Sequence, residues 1–442
     1  MKVSKPKSFL TLMQECFTKE NWQSTTHFQA IDEKGRYLHW DKFKRIYTEK
    51  TEFAWVSTKL ARLPLMKKLM IGQYEFSYAV PSSLQALLHF VDKSCAGNVG
   101  AGNLAGLSKA EQNRFLLKSL IMEEAITSAQ LEGAVTTRKV AKEMLESERK
   151  PRTKDEMMIL NNYHLMLYAI KYKNEPLTIE KILKMHELAT DKAIENNALI
   201  GAFRQDDDIY IADYEGNVIH QPPTYTELNG LIQDFCDFAN KDHNGTSLDF
   251  IHPVVKAMIL HFLIGFIHPF GDGNGRTARA IFYWFMLKNG YWLFEYVSIS
   301  RLLKNAPAKY ARAYIYTETD DLDMTYFLYY QGEIIQRAIN DLDRYINDKQ
   351  RQFKEFSSAI TLFISKISPK LNDRQIQILQ KAVKDPGVMF TAKEISNEFG
   401  IAENTARTNL NYLRDLKLLG TFKSGNSLIY VAPHDLLERL KI

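Results

Sequence analysis

The residues with the densest chemistry lie between His268 and Arg279, in the run HPFGDGNGRTAR. Gly271, Gly273 and Gly275 alternate with Asp272 and Asn274, and Arg276 and Arg279 follow at once. Backbone N–H groups of a glycine-rich turn that opens a helix converge on one point. With the positive end of the helix dipole they form an anion site. The glycines remove the Cβ atoms that would hold a phosphate away from the backbone. Arg276 and Arg279 are three apart and share a helix face. Two guanidinium forks beside such a nest suit several phosphates rather than one. A carboxylate at Asp272 would repel phosphate unless a divalent cation intervened, and Mg²⁺ held by one carboxylate plus phosphate oxygens removes the conflict. The ligand expected is therefore a nucleotide polyphosphate with Mg²⁺. His268 stands where Pro269 ends the preceding helix, and a neutral imidazole there could take a proton from an attacking hydroxyl. Arg, Mg²⁺ and the nest amides would hold the charge that develops. The chemistry implied is nucleotidyl or phosphoryl transfer to a hydroxyl.

A metal hydrolase built from His252, His261, His268 and Asp272 is the competing reading. No HExxH or equivalent ligand spacing supports it, and Asp272 lies inside a glycine nest. His186, His252 and His261 read as core residues or as supports of the site.

The elements that must position these groups are mainly helical. The chain has 442 residues, 45% hydrophobic and 25% charged, with a net charge of +5. These are ordinary globular values with room for two or three domains, and the charge alone does not argue for nucleic acid. Cys16, Cys95 and Cys236 are an odd, scattered set that implies no disulfide framework and no CxxC metal site, so a cytoplasmic setting is expected. The N-terminus carries no signal-peptide pattern, and no apolar run approaches the ~18 residues of a membrane span. Residues 28–95 read as a mixed segment. Residues 96–108 are rich in Gly and Asn and read as a surface loop, followed by a capping box at Ser108 and Glu111 and a helix running to about residue 130. Further helices fit 154–173, 178–195, 224–241, 252–267 and 275–288. Between them, residues 201–223 carry a hairpin pattern, with IYIA and NVIH flanking DYEG. Residues 325–367 read as one or two connecting helices.

The run HPFGDGNGRTAR resembles the signature of the Fic family, HPFx[D/E]GNGRxxR, at every defined position. The resemblance implies a helical fold whose usual activity is AMPylation: transfer of AMP from ATP to a Ser, Thr or Tyr hydroxyl of a protein, with pyrophosphate leaving. It implies His268 as general base, Asp272 as Mg²⁺ ligand, Asn274 and Arg276 on the α and β phosphates, and Arg279 on the γ phosphate. Gly271, Gly273 and Gly275 would line the nucleotide. Related Doc-type kinases carry Lys where this chain has Gly275, which favours AMP transfer over phosphate transfer.

A second match lies upstream. TSAQLEG holds Ser128, Glu132 and Gly133 in a pattern similar to the family's inhibitory motif [ST]xxxE[GN]. Ser128 and Glu132 are one helical turn apart. A glutamate aimed at Arg279 would occupy the γ-phosphate position and leave ATP misplaced, an inhibition in cis. The alternative is a solvated glutamate in a chance motif. GAFR and the hairpin after it resemble the family's flap, which positions the target by strand addition, with Ile209 and Ile211 beside target and nucleotide. Tyr310 falls where the family often has a tyrosine pair near adenine, with Lys309 in the first place of that pair. RYLHWDKF resembles an N-terminal module of longer family members. Self-modification and a homodimer are also compatible with the resemblance.

The last 73 residues change character. NDRQIQILQKAV, TAKEISNEFG and AENTARTNLNYLRDLKLLG read as three helices, and TFKSGNSLIYVA as a hairpin turning at Ser424, Gly425 and Asn426. That is a winged-helix pattern, with 403–416 as its recognition helix. Asn404, Thr405, Arg407, Thr408, Asn411 and Lys423 could meet DNA. Residues 370–442 hold 11 Lys or Arg against 8 Asp or Glu, a net +3 that is small for a duplex binder, and protein contact is the other use. The expected fold is thus mainly α: a Fic-type helical bundle with a β-hairpin flap plus a C-terminal winged helix-turn-helix. Its expected divisions are an N-terminal module (1–107), a Fic domain with the inhibitory helix (108–335), a helical linker (336–369) and the winged helix (370–442). Two rival functions share these features. One is a hydrolase that removes AMP using Glu132. The other is a DNA-binding regulator whose Fic region senses nucleotide.

Overall fold

The computed structural model describes residues 3–17, 29–95, 121–194, 198–212, 216, 218–245, 249–367, 371–424 and 427–441. The expected loop at 96–108 and the capping box at Ser108 lie outside the described residues, as do Gly425 and Asn426 of the expected C-terminal turn. Two compact units meet between Leu342 and Asp343.

The first unit begins with α1 (Phe9–Phe17), α2 (Trp40–Ile46) and α3 (Thr51–Arg62). An antiparallel hairpin of β1 (Lys67–Ile71) and β2 (Tyr74–Tyr78) and then α4 (Ser82–Cys95) follow. The described part of 28–95, read from sequence as mixed, thus resolves into helices and one hairpin from residue 29 on. The hairpin turns at Gly72, whose φ of 55° lies in the left-handed region that favours glycine. Helix α5 covers 121–131, and α6 (Arg138–Ser147), α7 (Lys154–Lys171) and α8 (Ile179–Thr190) follow. Thr137, Thr153 and Thr178 cap α6, α7 and α8, each accepting a bond from a first-turn N–H.

The short pair β3 (Ile211–Ala212) and β4 (Val218–His220) is antiparallel, with an irregular register between Ile211 and Ala212. The expected strand IYIA is halved. Asp206 Oδ1 accepts the Asp208 N–H at 3.2 Å, which turns the chain just before Ile209. Next come α9 (Leu228–Asn240), α10 (Pro253–Ile267) and α11 (Asn274–Lys288). Helices α10 and α11 are the central pair. Thirteen of the fifteen residues in each are buried; α10 is apolar on nearly every face, while the first turns of α11 bury Asn274, Arg276, Thr277 and Arg279. Helices α7 and α8 pack on α11, and α9 on α10. A loop joins the central pair, so its polar atoms are held by two rigid, buried rods. Helices α12 (Ser300–Lys304), α13 (Pro307–Thr319) and α14 (Thr325–Ile367) complete the run, and 325–367 is one helix of 43 residues.

In the second unit, the end of α14 and the elements beyond it share one core. Phe356, Ala359, Ile360 and Phe363 pack with Ile378, Leu379, Leu410, Leu413 and Tyr430. The elements are α15 (Asp373–Lys384), β5 (Met389–Phe390), α16 (Ala392–Phe399), α17 (Glu403–Asp415), β6 (Gly420–Ser424), β7 (Ser427–Val431) and α18 (Leu436–Arg439). The strands form an antiparallel sheet in the order β5-β7-β6. Capping boxes at Asn372 and Thr391 start α15 and α16, and Gly400, with φ of 61°, ends α16. No helix among the described residues is long and apolar enough to cross a membrane.

Candidate nucleotide-binding active site

His268 is the C-cap of α10. It sits in the left-handed region (φ 48°, ψ 57°), and its N–H bonds to Ile264 O at 3.0 Å. Pro269 has no N–H to continue the helix, so the chain leaves here. The imidazole is half-buried, and its Nδ1 lies 3.3 Å from Gly265 O. A carbonyl can only accept, so Nδ1 carries the hydrogen and Nε2 keeps its lone pair. Burial pushes the imidazole down to about 4. The Gly265 carbonyl and Glu132 oppose that shift, and His220 and Arg204 reinforce it. The ring is therefore neutral at pH 7 and able to accept a proton.

The loop from Phe270 to Asn274 is stapled by its last residue. Asn274 Nδ2 donates to Phe270 O at 2.7 Å, and the Phe270 N–H donates to Asn274 Oδ1 at 3.0 Å. Asn274 is buried, and both ends of its amide hold the loop. Phe270 stacks on His186 with centroids 3.8 Å apart. His186 in turn bonds Asp272 O through Nε2 at 2.9 Å and takes the Gly201 N–H on Nδ1 at 3.1 Å. Gly271 packs close to Ala198, 2.9 Å from where a Cβ would sit. Gly273 caps α11 with φ of 81° and no side-chain cap, so first-turn N–H groups of α11 have no intrahelical partner. A Cβ there would also lie 2.7 Å from Thr190 Cγ2.

Asp272 Oδ1 accepts from the Gly273 N–H and from Arg276 Nη2 at 3.0 Å. Among the described residues its Oδ2 accepts no hydrogen bond, and the carboxylate is 28% exposed. One open, hard carboxylate oxygen beside the glycine loop is a donor of the kind Mg²⁺ takes when its other ligands come from elsewhere. Arg276 Nη1 donates to Ala189 O at 2.6 Å, at the C-terminal end of α8, and its buried Nε has no partner among the described residues.

Arg279 is 1% exposed. Its Nε donates to Ser128 Oγ at 2.9 Å, and its Nη2 to Ser128 O at 3.2 Å and to Glu132 Oε1 at 2.8 Å. Its Nη1 is buried without a partner among the described residues. Burial works against the guanidinium charge, and Glu132, Tyr310 and Glu124 together more than offset it. Glu132 reaches this point because α5 ends on it. Ala134 N–H bonds Ala129 O at 3.1 Å, and Gly133 N–H bonds Gln130 O at 3.2 Å. That pattern needs a left-handed residue after the cap, and Gly133 supplies φ of 105°. Gly275 leaves the space that the Glu132 carboxylate fills: a Cβ at 275 would collide with Oε1.

Tyr310 and Tyr314 stand beside this group. Tyr310 OH lies 2.9 Å from His261 Nε2 and 3.3 Å from Tyr314 OH, and both rings are half-buried. Ile211 pairs with His220 across the flap and is half-buried.

Three residues with evident work are missing from the sequence reading. Glu124, one turn before Ser128 on α5, is buried and receives Ser298 Oγ at 2.8 Å and the Ser300 N–H at 3.2 Å. Burial raises its carboxyl above the usual range. It ties α5 to the start of α12. Arg204 and His220 flank the flap. Position 204 was visible as the polar residue closing GAFR, and 220 as the histidine before two prolines, but neither has a local spacing that names its partner.

A mainly helical bundle, a glycine cradle between two buried helices and a hairpin beside a neutral histidine define the class: a Fic fold. Residues 176–286 match the family Fic/DOC. Curated relatives named protein adenylyltransferase Fic, from Drosophila melanogaster and Drosophila virilis, are 34% and 33% identical over 131 residues. The alignment takes 28% of this chain and 24% of each relative, so the chain spans about a quarter of the length of these proteins. A Fic family protein from Desulfovibrio desulfuricans G20 superposes with a TM-score of 0.52 at 18% identity, covering 80% of this chain and 97% of that one. A fragment of Fic-1 from C. elegans superposes with a TM-score of 0.50 at 18% identity, covering 78% and 89%. At these identities the likeness speaks to fold alone.

Proposed function

We propose that the protein transfers AMP from ATP to a Ser, Thr or Tyr hydroxyl of a protein target, and that Glu132 restrains this activity in cis. The observation that carries the reading is the neutral His268, with Nδ1–H on Gly265 O and Nε2 left with its lone pair beside the cradle.

In this mechanism the target segment lies along the flap at Ile211. His268 Nε2 takes the proton of the hydroxyl as its oxygen forms a bond to the α-phosphorus. The bond from that phosphorus to the bridging oxygen breaks, and pyrophosphate leaves with the electron pair. First-turn amides of α11 and the Arg276 guanidinium meet the charge on the phosphates. Arg279 turns its Nη groups to the γ phosphate once Glu132 withdraws. Asp272 Oδ2 would hold Mg²⁺, which supplies charge neutralisation across the phosphates when bound. Asn274 keeps the loop in shape. Gly275, where a Lys would meet the Glu132 carboxylate, favours AMP transfer over phosphate transfer.

The test is incubation with ATP labelled at the α phosphate. Label should enter protein with Glu132→Gly, enter far less with the wild type, and be absent with His268→Ala. Release of AMP from pre-labelled protein by the wild type, with no transfer by Glu132→Gly, would point instead to the hydrolytic reading.

A further inference from the structure

The flap hairpin is fastened to the end of α10 at both of its legs. On the first leg, the Arg204 N–H donates to Pro269 O at 2.9 Å, and Arg204 Nε donates to His268 O at 3.0 Å. The same guanidinium reaches across to the second leg. Its Nη1 donates to Asp206 O and Asp207 Oδ1, each at 2.7 Å, and its Nη2 to Pro223 O. Asp207 completes the crossing, accepting from Thr224 Oγ1 and the Tyr225 N–H, each at 2.7 Å. On the second leg, at the end of β4, His220 Nε2 lies 2.8 Å from Phe266 O, and Nδ1 lies 2.8 Å from Glu318 Oε2 on α13. The ring thus has an oxygen facing each nitrogen. Arg204 and His220 are 7% and 6% exposed, so both side chains are held inside the fold.

We propose that Arg204 and His220 are positioning residues of the transfer reaction, a two-point clamp that fixes the flap to the Phe266, His268 and Pro269 carbonyls. The inference rests on the reading of the site as a transferase. It goes beyond that reading by naming what sets the height of the target strand over His268. A strand laid on Ile211 inherits its distance to Nε2 from this clamp, and a misplacement of 1 Å can cost about 100-fold in rate. Only the planar fork of arginine serves both legs and the His268 carbonyl together. A lysine at 204 keeps the charge but has one point of attachment. The clamp has a second consequence. The groups that face His268 are the Arg204 guanidinium and the His220 ring on one side and the Glu132 carboxylate on the other. The Arg204 cation helps to hold the imidazole in its neutral, proton-accepting form.

The experiment uses the full chain carrying Glu132→Gly, so that labelling is measurable. Into it go Arg204→Lys, Arg204→Gln and His220→Gln, each checked by thermal melting. Labelling of protein should fall by about 10- to 100-fold in all three, with the KM for ATP within about twofold of the parent, because the clamp touches the flap rather than the cradle. Independently of activity, NMR titration of labelled histidine should show the His268 midpoint rising by on the order of one pH unit in Arg204→Gln. It should stay in place in Arg204→Lys. A folded Arg204→Lys or His220→Gln variant that labels at the parental rate overturns the proposal. So does a His268 midpoint that stays put in Arg204→Gln, since a merely structural role would slow labelling without moving it. If the parent does not label at all, the transferase reading fails, and the titration alone then decides the clamp.

Discussion

Replacing Glu132 with glycine removes the carboxylate that occupies the Arg279 guanidinium. The contact is a charge-assisted hydrogen bond at 2.8 Å, with the arginine 1% and the glutamate 27% exposed. A bond of that kind is worth about 1.5–3 kcal/mol. If ATP must displace it before its phosphates align, the brake slows the aligned state by about 10- to 150-fold. Labelling with α-labelled ATP should rise by that factor in Glu132→Gly, and Glu132→Gln, which keeps the shape without the charge, should fall between. Stability should move the other way. Arg279 retains Ser128 Oγ and Ser128 O but loses its only carboxylate bond among the described residues, which should cost about 1–3 kcal/mol and lower the Tm. ATP should then raise the Tm of the variant more than that of the wild type, because phosphate replaces the lost anion. Equal labelling by wild type and Glu132→Gly, together with equal thermal shifts on adding ATP, would refute the reasoning.

His268→Ala in the Glu132→Gly chain should lose at least about 100-fold of the labelling rate, the usual worth of a general base. In Glu132→Gly itself the rate should rise with pH at or below about 4 and be level by pH 6, since the base acts unprotonated, its folded-state value is about 4, and loss of the Glu132 carboxylate lowers it further; a limb near pH 6.5 would contradict the desolvated site. Gly273→Ala forces a side chain into φ of 81° and against Thr190, so it should destabilise by about 1–3 kcal/mol and abolish nucleotide-dependent thermal shifts, checked by melting with and without ATP. Acid should destabilise the fold. Burial lowers His39 and His186 to about 4 and His261 to about 3, while the unfolded chain takes up protons near 6.5. The unfolded state therefore binds more protons as pH falls, and at pH 5 each histidine should subtract up to about 2 kcal/mol. A Tm that stays flat from pH 7 to pH 5 would count against this.

The cradle was legible because its determinants are local. Glycines, a helix stop at Pro269 and two arginines one turn apart lie within twelve residues, and their geometry follows from backbone rules. The contact from Glu132 to Arg279 needed one long-range step, which the family resemblance supplied. Other parts could not be read. Asn274 carries the same amide whether it faces phosphate or Phe270, and only the fold decides. Arg204 and His220 act on carbonyls 46 to 65 residues away in sequence, and a backbone oxygen leaves no mark in a side-chain pattern. The β1–β2 hairpin was missed for a different reason. Its first strand, KKLMI, is mostly exposed, so the apolar alternation that announces a half-buried strand is weak there. The halved flap strand reflects Asp206 and Asp207, whose carboxylates bind backbone amides and turn the chain before the extended run begins.

The empty side of Gly275 has an evolutionary corollary. The volume a methyl group would take at this position is the volume in which the Glu132 carboxylate rests. A larger residue at 275 would push the Glu132 carboxylate off Arg279 in the same mutational step, before position 132 changed at all. Among descendants, the two positions should therefore drift as alternatives, glycine travelling with the glutamate and bulk at 275 travelling with its loss.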